Sequence, residues 1–138
     1  LPGAVDFLTY VRGRGIRTAL GSVSKNAGVI LERTGLGGFF DSIVDGNRVS
    51  HAKPDPEVFL TGAQDLGVAP EACAVFEDAQ AGLIAARRAR MTRVGVGDPA
   101  VLTAAELCIA GFRSMEPRDL LGRIDSAAGK KAAAGPTS

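Results

Sequence analysis

The sequence predicts an α/β protein whose parallel sheet is covered by helices on both faces, a three-layer, Rossmann-like arrangement. Two observations predict this class: segments with helical apolar spacing alternate along the chain with short apolar runs of the buried-strand type. The composition agrees, because 46% hydrophobic and 22% charged residues over 138 positions are typical of one globular domain. Helical crossovers between parallel strands bring the carboxyl ends of the strands to one edge of the sheet.

The first part of the chain is predicted to alternate between helix and strand. The first helix carries apolar residues near helical spacing and ends at Gly13 and Gly15, and the second helix stops at Gly35. In order, we predict a helix over 4–14, a strand over 16–22, a helix over 26–34 and a strand around 42–44.

The clearest helix signal lies between residues 55 and 67. Asp55 can cap this helix, Pro56 fits its first turn, and Gly67 closes it. After it we predict a strand over 72–76, an alanine-rich helix over 79–90, strands over 92–97 and 107–112, and a closing helix over 117–124. Residues 1–124 are therefore predicted to form the core, and residues 125–138, which have no apolar face, a disordered tail.

Charge and composition argue against several classes of function. The formal charge of +1 and the 5% of aromatic residues favour no nucleic-acid partner, because neither a basic field nor a stacking surface is available. No apolar run approaches the ~20 residues that span a bilayer, and the first residues do not resemble a signal peptide. Cys73 and Cys108 lack metal-site or disulfide spacing, which predicts core thiols in a reducing, cytoplasmic compartment.

Polar residues that suit phosphate chemistry follow the predicted strands. A serine hydroxyl with helix-start amides can bind an anion, a lysine can neutralise a phosphoryl group, and paired acids are hard ligands for Mg²⁺. Because these residues fall at strand ends, we expect them to converge on one edge of the sheet. The residues are Ser22, Lys53, Glu77, Asp78 and, least specifically, Asp98.

Several of the candidate residues also have a purely structural interpretation. Ser22, Ser24 and Asn26 can simply cap a helix, Lys53 can be a solvated surface lysine, and Asp78 can be an N-cap. The occurrence of Ser22, Lys53, Glu77 and Asp78 in this order at strand ends favours the functional interpretation over these alternatives.

Two further residues are interpreted by elimination. Glu77 has no capping role to explain it, because its neighbour already takes the cap position. His51 is the only histidine and has no second ligand or triad partner in the sequence pattern, so we interpret it as a loop residue.

Three stretches in this order resemble the second, third and fourth motifs of the haloacid dehalogenase-like superfamily. They are ALGSVSKN (19–26), HAKPDPEVF (51–59) and VFEDAQAG (75–82). That superfamily contains phosphatases and phosphomutases that work through a phosphoaspartyl intermediate. Within it, the stretches are most similar to the beta-phosphoglucomutase-like subfamily, and the resemblance covers residues 1 to about 122.

The resemblance implies roles for the matching positions. Ser22 and Lys53 would be catalytic residues that bind the transferring phosphate, and Glu77 and Asp78 would coordinate Mg²⁺ as the cofactor. The substrate would be a phosphorylated sugar or another small phosphate ester. The phosphate-binding set would comprise Ser22, Val23, Ser24, Lys25, Asn26 and Lys53, of which Ser24, Lys25 and Asn26 match the grip on a second phosphate.

The first motif of the superfamily, D-x-D, is not found. No two aspartates of this chain lie two residues apart, so the nucleophile and the acid/base of the superfamily have no counterpart in it. We therefore expect a chain that is inactive alone and active only with a missing amino-terminal half. The alternatives are a fragment of a small-metabolite phosphatase, similar to phosphoglycolate phosphatase, and a non-catalytic remnant.

Overall fold

The structure, a computed structural model, describes residues 3–21 and 39–133. Within them, helices and parallel strands alternate, which confirms the predicted α/β class. In chain order the elements are α1 (Ala4–Gly13), β1 (Ala19–Gly21), β2 (Ser42–Val44), α2 (Glu57–Leu66), a 3₁₀ turn (Pro70–Ala72), β3 (Ala74–Glu77), α3 (Gln80–Arg88), β4 (Thr92–Val96), β5 (Leu107–Ile109) and α4 (Pro117–Ala133).

The closing helix differs from its predicted bounds. We predicted that it ends at Ile124 and that residues 125–138 are disordered, but α4 continues to Ala133, so this prediction is wrong for residues 125–133. Alanine and lysine are strong helix formers, and they extend α4 beyond the buried side chain of Ile124. The predicted helix over 26–34 lies outside the described residues.

The strand and the helix near the site also begin one or two residues away from their predicted starts. Strand β3 begins at Ala74, because the 3₁₀ turn takes residue 72, and it includes Glu77 as its last residue. At the start of α2, Pro56 occupies the N-cap position, and Asp55 caps through its side chain by accepting a hydrogen bond from the Glu57 backbone N–H at 2.9 Å.

The described strands form two parallel sheets. Strand β1 pairs with β2, with Leu20 opposite Ile43. Strands β3, β4 and β5 form the second sheet with β4 in the middle, and Phe76 lies opposite Val94. We predicted a single sheet, and among the described residues no ladder joins β1 or β2 to β3, β4 or β5.

The three-stranded sheet is covered on both faces, because successive side chains of a strand point to opposite sides. On β3, Phe76 packs against α1 and α4, whereas Val75 packs on the side of α2 and α3. The first face buries Phe7, Val11, Val94, Ile109, Leu120 and Ile124. These contacts establish the predicted three-layer arrangement for this sheet. No helix in the described ranges is long and apolar enough to cross a bilayer.

Helix α2 packs against both sheets. A Cβ atom at Gly62 would lie 3.8 Å from the Cβ of Ala19 on β1 and 3.9 Å from Cγ2 of Val44 on β2. The next residue, Ala63, belongs to the buried cluster that contains Val75 of β3. Small residues at these two positions let α2 approach the strands closely, and the helix holds the sheets together.

Asp65 of α2 ties the helix to the region after β2, and this contact predicts a pH dependence of stability. Arg48 donates to both carboxylate oxygens of Asp65, at 2.6 and 2.9 Å, and the Ser42 hydroxyl donates at 2.6 Å. These bonds, with the Arg48 bond foremost, lower the pKa of Asp65 from 3.8 to about 2. Since the pKa in the folded state is depressed, the stabilisation is present above pH 3.8 and is lost as the pH falls towards 2.

The measurement is the urea midpoint of unfolding across this acid range, for the wild type and for Asp65→Asn. As the pH is lowered, we expect the urea midpoint of the wild type to decrease more steeply than that of Asp65→Asn. Asp125→Asn, which removes an exposed carboxylate from α4, is the matched control and should follow the wild type. Parallel curves for the wild type and Asp65→Asn would contradict the assigned pKa.

Candidate active site

Lys53 and Glu77 meet at the carboxyl edge of β3. Lys53 lies in the segment between β2 and α2, and Glu77 is the last residue of β3. The Lys53 ammonium donates to Oε2 of Glu77 at 2.7 Å, and the two side chains are only 19% and 11% exposed. The predicted convergence of these two residues is therefore observed, across 24 positions of sequence.

The Glu77 carboxylate is held on several sides. Its Oε1 accepts hydrogen bonds from the backbone N–H groups of Asp78 at 3.1 Å and Ala79 at 3.3 Å, while Oε2 accepts one from the Lys53 ammonium. A Cβ at Gly82 would overlap the Glu77 carboxylate, so only a glycine fits there. As expected, Glu77 does not cap α3, which has no side-chain cap; its carboxylate instead binds the amides of the two residues that precede the helix.

Lys53 is not the solvated surface lysine that the structural alternative requires. Its ammonium lies 5.1 Å from the centre of the Phe59 ring, which gives it a cation–π contact besides the ion pair. The Lys53–Pro54 peptide bond is cis, and Arg88 of α3 donates to the Pro54 carbonyl at 3.3 Å. The ion pair, the ring contact and the Arg88 hydrogen bond hold Lys53 at the sheet edge.

Asp78 is exposed beside the ion pair. The alternative role of Asp78 as the N-cap of α3 is not observed, because Ala79 occupies that position and the helix has no side-chain cap. Among the described residues, the Asp78 carboxylate makes none of the hydrogen bonds or ion pairs found. Its oxygens therefore remain available to a ligand at the edge where Lys53 and Glu77 meet.

The predicted phosphate-binding run cannot be placed by the structure. Ser22, Val23, Ser24, Lys25 and Asn26 lie outside the described residues. The strand that leads to them is described.

The last residue of β1, Gly21, lies close to the start of α2. A Cβ at Gly21 would be 3.1 Å from Cγ2 of Val58 and 3.7 Å from the ring of Phe59. Because the Lys53 ammonium lies over the same ring, the carboxyl end of β1 lies close to the ion pair.

Asp98 has a local structural role. Its Oδ1 accepts a hydrogen bond from the Ala100 N–H at 2.9 Å, which shapes the turn after β4. The same segment is tied to α3 by Gln80, whose amide donates to Thr103 at 2.9 Å and accepts from the Ala104 N–H at 3.2 Å. The sequence patterns did not single out this contact of Gln80.

His51 has two acidic neighbours that the sequence pattern did not reveal. Its Nδ1 lies 2.9 Å from Oε2 of Glu57, and Asp55 is close enough to act on its charge. The hydrogen bond to Glu57, followed by the charge of Asp55, raises the pKa of His51 above its usual value. The expectation that His51 has no partner is therefore wrong, since the turn after Lys53 brings together residues six positions apart.

Comparison with known proteins identifies the family. The sequence profile of the haloacid dehalogenase-like hydrolases matches residues 1–90, which is most of the chain. The chain belongs to the haloacid dehalogenase-like hydrolase family. This confirms the family predicted from the three motifs, and the Lys53–Glu77 pair joins the second and third of the matching stretches.

The relatives of this haloacid dehalogenase-like chain include sugar-phosphate enzymes. The chain is 40% identical over 109 residues to beta-phosphoglucomutase of Bacillus subtilis, which covers 79% of this chain and 48% of the relative. It is 45% identical over 93 residues to fructose-1-phosphate phosphatase YqaB of Escherichia coli, which covers 67% of this chain and 50% of the relative. The chain thus spans about half the length of these relatives.

Solved structures of the family share the fold. The crystal structure of beta-phosphoglucomutase from Clostridium difficile superposes with a TM-score of 0.87 at 35% sequence identity. The superposition covers 91% of this chain and 56% of that protein. This similarity confirms the Rossmann-like fold class predicted from the sequence.

Proposed function

We propose that this chain is the carboxyl-terminal core of a Mg²⁺-dependent phosphoryl-transfer enzyme that acts on a phosphorylated sugar, as beta-phosphoglucomutase does. The observation that carries the proposal is the Lys53–Glu77 ion pair of 2.7 Å at the carboxyl edge of the sheet, with the exposed Asp78 beside it. An ammonium and two hard carboxylates suit a phosphoryl group and its metal. The names of the two relatives support a sugar phosphate as substrate.

Glu77 and Asp78 are the residues that would hold Mg²⁺. The donor set fits this ion, because Mg²⁺ prefers one or two carboxylates together with substrate phosphate oxygens. Asp78 offers an exposed carboxylate, while Glu77 would share its carboxylate between the ion and the Lys53 ammonium. Bound there, Mg²⁺ would supply positive charge that neutralises the phosphate oxygens during transfer.

The other residues would bind and orient the phosphoryl group. Lys53 would place its ammonium against the oxygens of the transferring group, where negative charge must be balanced. Ser22 would donate its hydroxyl, and the amides of Val23 and Ser24 would point to the same anion. Ser24, Lys25 and Asn26 would hold a second phosphate, which favours a mutase, because a phosphatase has less need of that grip.

The nucleophile would come from a segment outside these residues. The chain has no D-x-D pair, so we propose that residues 1–138 alone do not catalyse phosphoryl transfer. Two observations support this: the described strands form two sheets with no ladder between them, and the relatives are about twice as long as the matched region.

The test joins this chain in one polypeptide to the part of the Bacillus subtilis relative that lies outside the matched region. We expect no Mg²⁺-dependent turnover of β-glucose 1-phosphate or fructose 1-phosphate by the chain alone, and turnover by the joined protein. Lys53→Ala should lower that turnover by about 10²-fold or more, whereas Arg123→Ala on α4 should leave it unchanged.

The possible outcomes distinguish the proposed function from its alternatives. Turnover by the chain alone that disappears on Lys53→Ala would overturn the proposed inactivity. A joined protein that only releases inorganic phosphate would favour the phosphatase alternative, which the 45% identity to the fructose-1-phosphate phosphatase supports. A folded but inactive joined protein would favour a non-catalytic remnant.

A further inference from the structure

A mixed group of potential metal ligands lies at the start of α2, apart from the proposed Mg²⁺ residues. We call His51, Asp55 and Glu57 the His51 cluster. One ligand atom from each of the three residues lies within 4.8 Å of the others. The cluster combines the single imidazole of the chain with two carboxylates.

We propose that the His51 cluster binds a divalent transition-metal ion of the Zn²⁺ class. His51 Nδ1 and Glu57 Oε2, which already lie 2.9 Å apart, would both be ligands, and Asp55 would supply the third. Imidazole with carboxylate is a donor set that suits Zn²⁺ and its neighbours better than Mg²⁺. The proposal does not depend on the proposed phosphoryl-transfer function.

Binding would need little rearrangement of the protein. The ion would take the place of the Nδ1 proton between His51 and Glu57, and that proton would be released to solvent. The Glu57 carboxylate would keep its backbone bonds from Ser50 at 2.6 Å and His51 at 3.0 Å, which orient it as outer-shell contacts orient a metal ligand. The two carboxylates together balance the charge of a divalent ion.

The position of the cluster lets solvent complete the coordination. The His51 side chain is 70% exposed, and that of Glu57 is 28% exposed, so water can fill the remaining positions on the ion. The ligands also lie on both sides of Lys53 and Pro54 in the sequence. A bound ion would therefore clamp the segment that carries Lys53.

The experiment uses the whole chain, without an affinity tag, and Zn²⁺ as the probe. His51 is the only histidine of the chain, so no other imidazole resonance overlaps its own, and the imidazole resonances report one site. Titration followed by imidazole ¹⁵N and ¹H NMR is expected to show saturable binding through Nδ1. Isothermal titration on the same sample gives the affinity.

Matched variants separate the cluster from other sites. Asp55→Asn keeps an oxygen to cap Glu57 but removes the carboxylate, and it should weaken Zn²⁺ binding by about tenfold or more, as should His51→Ala. Asp45→Asn is the control, because Asp45 makes the same kind of turn contact, to the Asn47 N–H at 2.9 Å, outside the cluster. The Asp45→Asn variant should bind Zn²⁺ with the affinity of the wild type.

Two results would overturn the proposal. One is an imidazole spectrum that does not change with Zn²⁺ while heat is still released, since the ion would then be bound elsewhere, for example at Cys73 or Cys108. The other is an affinity that His51→Ala and Asp55→Asn leave unchanged. Because His51 is exposed, the His51→Ala variant should keep the wild-type thermal midpoint, which verifies that it is folded.

Discussion

Replacing Gly82 by alanine is expected to destabilise the fold by about 1–3 kcal/mol, the usual cost of overpacking a close contact. The new Cβ would overlap Cγ, Cδ and Oε2 of Glu77. Glu77 cannot move away without losing its bonds to Lys53 and to the amides of Asp78 and Ala79. Urea unfolding of the wild type and the variant measures the loss.

The control introduces Gly82→Ala into a variant that lacks the Glu77 side chain. In a Glu77→Ala background there is no carboxylate to meet the new Cβ. Gly82→Ala should then stabilise the fold by about 1 kcal/mol, because alanine is the better residue inside a helix. An equal loss of stability in both backgrounds would show that Glu77 does not cause the strain.

Truncating Leu83 to alanine is the second change with a large expected effect, a loss of about 2–5 kcal/mol of unfolding free energy. Leu83 is 0% exposed and forms a buried cluster with Leu102 and Ala104. The cluster packs α3 against the segment after β4, which Gln80 also ties to the helix. Chemical denaturation measures the loss directly.

Leu60→Ala is the matched control for this prediction. Leu60 is also a helical leucine, on α2, but it is 39% exposed. Its truncation should cost about 1 kcal/mol or less, since little apolar surface leaves a packed environment. Equal losses for Leu60→Ala and Leu83→Ala would contradict the packing described here.

Much of the secondary structure could be predicted because local signals specify it. The α2 helix follows from Asp55, Pro56 and Gly67, and its observed end at Leu66 agrees with the glycine signal. Its start was misplaced by about one residue, because Asp55 caps from the residue before the N-cap position. The end of α4 could not be predicted from apolar spacing, because beyond Ile124 only the helix propensity of alanine and lysine favours a helix.

The candidate site was predictable in part. Strand ends in a parallel sheet meet at one edge, so the meeting of Lys53 and Glu77 could be expected from their order alone. The role of Gly82 was not expected, although it closes the EDAQAG stretch. A glycine is required at position 82 only because the Glu77 side chain folds back over α3 and contacts it. No pattern of residues along the chain indicates that contact.

The sequence by itself determined the family, the alternation of helices with parallel strands, and the types of residue that meet at the strand ends. These properties depend on residue identity and on spacing along the chain, which can be read without coordinates. Only the tertiary structure decided that the described strands form two sheets, that Glu77 is enclosed by Lys53 and Gly82, and that His51 lies against Glu57. Such contacts depend on how separate segments pack, because side chains distant in sequence interact only after the backbone has brought them within a few ångströms.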